Sequence, residues 1–205
     1  ISPQQILNAS IKRDSSKFFD RVFVVGGKQG FLDQSQAMTT TEVSLHAKYY
    51  ASSFTPSKTN VLYIEAYVRK IGNPLDAFRF TIVEDDSGPN GSIVGFGAIL
   101  AKNISADGSW AKSDYIDVQL DTTKLHWIVF QKFGTETDTF KVAHDSTTAN
   151  GQKYSADGLT WTNATGKMAF KTYYGVQIVK NASGERMFDS YTDIPIVDLS
   201  IKDTD

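Results

Sequence analysis

Glu84-Asp85-Asp86 is a run of three consecutive acids, and carboxylate catalysis is the first chemistry it raises. Hydrolysis of a glycosidic bond needs two carboxyl groups facing each other across a cleft, roughly 5–10 Å apart. Neighbours in sequence that lead into Ser87-Gly88-Pro89-Asn90-Gly91 do not meet that requirement, so the run reads as a turn. A serine nucleophile would be marked by a strained Gly-x-Ser-x-Gly elbow, which the chain lacks. His46, His126 and His144 are scattered, and the first and second sit within runs that read as strands, so no zinc site is assigned. Gly26-Gly27-Lys28-Gln29-Gly30 lacks the spacing and the closing Gly-Lys-Ser/Thr of a phosphate loop, and reads as a glycine turn.

The remaining chemistry is that of aromatic rings. Exposed ring planes stack on the apolar faces of sugars, while amides and carboxylates beside them bond the hydroxyls. Trp110 follows Asp107-Gly108-Ser109, Trp161 follows Asp157-Gly158, and Tyr115 and Tyr154 flank loops, which makes these four the candidate ligand-binding residues. Trp127 lies in the middle of the run 125–133 and is assigned to the core.

Alternating strands are the elements that must position such rings. From Val61 to Arg69, Leu62, Ile64, Ala66 and Val68 fall on one face and Tyr63, Glu65, Tyr67 and Arg69 on the other. After a Gly72-Asn73-Pro74 turn, Phe78, Phe80 and Ile82 share a face opposite Arg79, Thr81 and Val83. The run 125–133 carries apolar residues on both faces, as a central strand does, with Trp127, Val129 and Gln131 aligned. Phe18–Gly27 reads as a buried strand entering a turn, 34–41 as a polar connector, 42–50 as a strand, 147–155 as a polar loop, and 168–174 with 176–179 as returning strands. Gly95 and Gly97 inside the run 93–104 mark a bulge or a close backbone approach. Many short strands, turn signals between them and no long amphipathic pattern predict an all-β fold, a two-layer antiparallel β-sandwich.

Composition narrows the partners. The 205 residues suffice for one large β domain, and the absence of cysteine excludes a disulfide framework, thiolate zinc sites and cysteine nucleophiles. With 21 basic and 23 acidic residues intermixed and a net charge of -2, there is no basic field to attract nucleic acid and no polybasic stretch for anionic lipid. No apolar run reaches the roughly 18–20 residues that a membrane-spanning helix needs. The chain starts at Ile1 without a signal-like segment and is expected to be processed or cut from something longer.

Ser53-Phe54-Thr55-Pro56, the Gly72-Asn73-Pro74 turn, Asp85–Gly91 before an apolar run, Thr123–Val129, and Asp157–Trp161 before Phe170-Lys171-Thr172-Tyr173 form a pattern over about 60% of the 205 residues. It resembles the carbohydrate-binding-module-like jelly rolls known as choice-of-anchor domains, and similar modules inserted in phage tail proteins. Asp20–Gly27 and Tyr191–Ile201 further resemble the segments that lead into and out of such modules in phage tail and baseplate proteins. The expected layout is therefore an N-terminal flank over 1–40, a jelly-roll module over 41–180 and a C-terminal flank over 181–205. The anchor-domain family would further imply a secretion signal and a terminal sorting segment; the 205 residues read as neither, so a virion setting is expected over a bacterial cell surface.

The resemblance implies a non-enzymatic module at a virion tail or baseplate surface, or otherwise extracellular, that engages host surface glycans. The alternative is a purely structural decoration or assembly domain that touches neighbouring virion subunits or forms a homo-oligomer, and a polysaccharide hydrolase ranks behind both. No cofactor is expected apart from a structural calcium, which sandwiches of this kind hold through six to eight oxygen ligands. Asp85, Asp86 and Asn90 are its candidate ligands, with the loop 189–193 as a second source.

Overall fold

The computed structural model describes residues 25–36, 41–147 and 151–179. The expectations for residues 1–24 and 180–205 lie outside these. Among the described residues fifteen strands run in chain order: β1 (Val25–Ser35), β2 (Thr41–Ser44), β3 (Tyr49–Phe54), β4 (Asn60–Val61), β5 (Tyr63–Ile71), β6 (Phe78–Glu84), β7 (Ile93–Ile99), β8 (Ser109–Lys112), β9 (Val118–Gln119), β10 (His126–Phe130), β11 (Thr139–Asp145), β12 (Gln152–Ser155), β13 (Thr162–Ala164), β14 (Lys167–Met168) and β15 (Phe170–Val179). A 3-10 turn, Ala101–Asn103, interrupts them, and no helix among the described residues is long and apolar enough to cross a membrane.

Two sheets hold most of these strands. The seven-stranded sheet runs β1-β15-β5-β11-β14, with β2 also paired to β11 and β8 to β5. The six-stranded sheet runs β13-β12-β3-β10-β6-β7, and β4 pairs with β9 in a small ribbon. The pairings of β2–β14 with one another, and of β15 with β5, are antiparallel. The fold is an all-β sandwich, as the alternation predicts.

The apolar rows meet between the layers. Ile64, Ala66 and Val68 of β5, with Phe140 and Val142 of β11, face Phe78, Phe80 and Ile82 of β6 and Ile128 and Phe130 of β10 in one buried cluster. Ring edges cross the gap: Phe78 meets Phe140 at 5.8 Å and 86°, and Phe54 meets Phe170 at 5.9 Å and 65°. Edge-on aromatic pairs of this kind add to the stabilisation from area burial.

The structure departs from the sequence reading where pairing partners are remote. The Gly72 turn does not close a hairpin, because β5 and β6 belong to different sheets. The strand expected over 42–50 breaks instead at 45–48, so that β2 joins one layer and β3 the other, with Leu45 buried at the corner. His46 accordingly sits in a bend, within 2.9 Å of Ser44 Oγ, and not in a strand. Gly26 and Gly27 are not a turn, since β1 runs extended through both, and sheet pairing outweighs their turn preference. The polar stretch 152–155 is the strand β12, held between β3 and β13. Gly95 and Gly97 behave as expected of close approaches: a Cβ on Gly95 would lie 2.6 Å from Val118 Cγ1, and one on Gly97 2.8 Å from Ile116 Cγ2. A register shift in the β6-β7 pairing lies beside them.

Contacts group residues 32–174 as one compact unit, which carries the core just described, and residues 1–31 with 175–205 as another. Among described residues the second holds only the outer ends of β1 and β15.

Candidate functional site

The central strand β10 is buried along its whole length because it has apolar residues on both faces. Ile128 and Phe130 enter the main core, while Trp127 and Val129 form a second small cluster with Ala51 of β3 and Val83 of β6 on the other, outer face of the six-stranded sheet. Trp127 is therefore core, as expected, but of this second layer. Tyr49 and Trp161 pack against it from the side.

Two loops frame that face. The turn after β6 is anchored by Asp85, whose Oδ1 accepts from Trp127 Nε1 at 2.6 Å and from the Gly88 N–H at 3.1 Å. Lys153 Nζ donates to Ser87 O at 3.1 Å and lies 5.7 Å from the Trp127 ring centroid. The loop after β12 is organised by Asp157, whose Oδ1 accepts from the Thr160 N–H at 2.8 Å, the Leu159 N–H at 2.9 Å and Ser155 Oγ at 2.7 Å. Those backbone donors, with the Ser155 hydroxyl, hold the Asp157 carboxyl well below the usual carboxylate range, so it stays anionic. Gly158, at φ 78°, turns the chain past Tyr49 in a conformation that suits glycine.

Between the loops lies a cleft of about 390 Å³. Thr81, Val129 and Gln131 form its floor, Tyr49 and Trp161 line it with aromatic surface, and Asn90 and Asp157 supply polar groups. The Trp161 indole N–H is buried with no acceptor among the described residues. A second cleft of about 410 Å³ lies along β7, lined by Arg79, Phe96, Ala98, Asp114, Tyr115 and Gln131. Aromatic walls with a few convergent amide and carboxylate groups suit a polyhydroxylated ligand. Each cleft is lined by one carboxylate, Asp157 or Asp114.

The four predicted rings do not form one surface. Trp161 lines the first cleft together with Asn90, a residue nominated as a calcium ligand. Tyr115, 63% exposed, lines the second, with one side against Tyr63 at 5.9 Å and Lys112 Nζ 4.8 Å from its ring centroid. Trp110 belongs to β8 of the opposite sheet, edge-on to Tyr67 at 5.8 Å, and Lys171 Nζ lies 4.0 Å over its ring, which removes that face as a sugar platform. Tyr154 lies 6.4 Å from Tyr50 with Lys48 Nζ 4.2 Å over it. Both are held by cation–π contacts of a common structural kind.

The nominated calcium ligands are used differently from one another. Asp85 Oδ1 is committed to Trp127 and Gly88, Asp86 is an exposed turn residue whose N–H donates to Gly88 O at 2.9 Å, and Asn90 faces the cleft. Among the described residues no group of three or more His, Asp or Glu side chains gathers to hold a metal ion. His126 is 1% exposed, and its Nδ1–H donates to Lys124 O at 3.1 Å.

Tyr49, Thr81, Gln131 and Phe96 were not among the sequence candidates. The alternation over 125–131 had placed Gln131 on the Trp127 face, which was the available signal; that this face is outward and bordered by loops depends on remote pairings. Compared with known proteins, the chain matches no family model and no curated protein.

Proposed function

We propose that residues 32–174 form a non-enzymatic jelly-roll-type module of a virion tail or baseplate protein, which engages host surface glycans through the outer face of the six-stranded sheet. The jelly-roll reading is supported by strand order: β2-β11-β5-β8 in one layer and β3-β10-β6-β7 in the other make eight strands in two sheets, with the chain changing layer at most steps. The virion setting rests on the likeness of the flanks to tail and baseplate segments.

The observation that carries the glycan reading is the cleft in which Tyr49 and Trp161 stand beside Asn90, Gln131 and Asp157. A hydrolase is disfavoured, since a retaining or inverting pair needs two opposed carboxyl groups and Asp157 is held too acidic to donate a proton near neutrality. The test is retention of a multivalent display of the full chain on an array of bacterial capsular and cell-wall polysaccharides, because repeated copies raise weak affinities. Retention that Trp161→Ala abolishes supports the reading; signal at background for the folded wild type overturns it. The second reading, a purely structural decoration, is favoured by the lysine-covered rings of Trp110 and Tyr154, and would stand in that event.

A further inference from the structure

We infer that the two clefts on the outer face of the six-stranded sheet are one continuous groove, and that its ligand is a linear, largely neutral glycan chain lying across the strands. This rests on the glycan reading above and adds the length and direction of the ligand. Gln131 borders both clefts, so the two adjoin at that residue. Across the strands the lining is also contiguous: Phe96 of the second cleft is the direct cross-strand partner of Thr81 of the first, and Thr81 is the partner of Val129. Directly opposed residues of antiparallel strands share a face.

The dimensions suit a ligand longer than a single sugar ring. From Tyr49 on β3 through β10 and β6 to Phe96 on β7 there are three inter-strand steps, roughly 14 Å at the usual spacing. Trp161 stands at one end of this path and Tyr115 at the other. Phe96 is 78% and Ile93 67% exposed along it, so the apolar surface continues between the end rings. The charges do not ask for an ionic ligand. Asp157 and Asp114 are acidic, and Arg79, the only cation among the described residues that line the two clefts, pairs with Asp76 at 2.9 Å. A polyanion would meet two carboxylates with only Lys112, whose Nζ lies 4.8 Å over the Tyr115 ring, to offset them, whereas a neutral chain can offer hydroxyls to Asn90, Gln131 and both acids.

The experiment measures binding of the full chain to disaccharide through hexasaccharide fragments prepared from whichever polymer the array retains. Wild-type affinity is expected to rise by about tenfold or more between the disaccharide and the longest fragment, the gain of a second engaged subsite. Tyr115→Ala and Phe96→Ser are expected to flatten that rise, with a loss that grows with fragment length. Trp161→Ala should weaken every length, and Leu75→Ser, exposed and outside both clefts, none. An affinity that stops rising at the disaccharide, or a Tyr115→Ala loss independent of length, overturns the continuous groove and leaves the glycan reading intact. Retention of no polymer by the array overturns both.

Discussion

The indole N–H of Trp127, on the central strand of the six-stranded sheet, donates to Asp85 Oδ1 at 2.6 Å and so ties the turn closing the β6-β7 hairpin to the floor of the outer face. Trp127 is 3% exposed, and leaving its N–H without an acceptor is costly. Asp85→Ala should cost about 1–3 kcal/mol, the penalty for a buried donor left alone, measured by urea unfolding. Asp85→Asn keeps an oxygen acceptor and should recover much of the loss; equal destabilisation by both variants would count against this bond as the cause.

His126 links stability to pH. Burial outweighs the pull of Lys124 O and of the Glu84 and Asp121 carboxylates and lowers the imidazole below its ordinary value of 6.5. The unfolded chain then binds more protons between the folded and the unfolded values, so stability rises with pH there. The contribution is complete above about 6.5 and is lost as pH falls through the folded value. His126→Gln should remove part of the fall in urea midpoint between neutral pH and about pH 5; an unchanged slope would refute the assignment.

Gly97 is the closest packing point of β7. An added methyl would press on Phe80 Cζ and lie 2.8 Å from Ile116 Cγ2. Gly97→Ala is expected to destabilise by about 1–3 kcal/mol through overpacking. Phe80→Leu in the same chain should restore part of this in a double-mutant cycle, and strict additivity would show that the two residues do not press on one another.

Phe78 and Leu75 lie three residues apart with opposite fates. Phe78 is fully buried against Phe130 and Phe140, whereas Leu75 is 92% exposed in the crossing between sheets. Phe78→Ala should cost about 3–5 kcal/mol, and Leu75→Ser should stay within about 0.5 kcal/mol, both by chemical denaturation. A large Leu75 effect would indicate that this crossing is covered in solution.

By itself the sequence determined what is local. The two-residue period assigned the faces of β5, β6 and β10, because alternate side chains of a strand point to opposite sides whatever it pairs with. It also placed the loop at Asp157-Gly158 and the crowding at Gly95 and Gly97. Only the tertiary structure decided partnership: that β5 and β6 part into different sheets, that 152–155 is a strand, and that Tyr49, Thr81, Gln131 and Trp161, spread over more than half the chain, line one cleft. Strand register and layer membership come from contacts between residues far apart in sequence, each adding a small free energy that no single stretch reveals. Trp161 could be picked out from its loop, while the groove beside it exists only once β3, β10, β6 and β7 lie side by side.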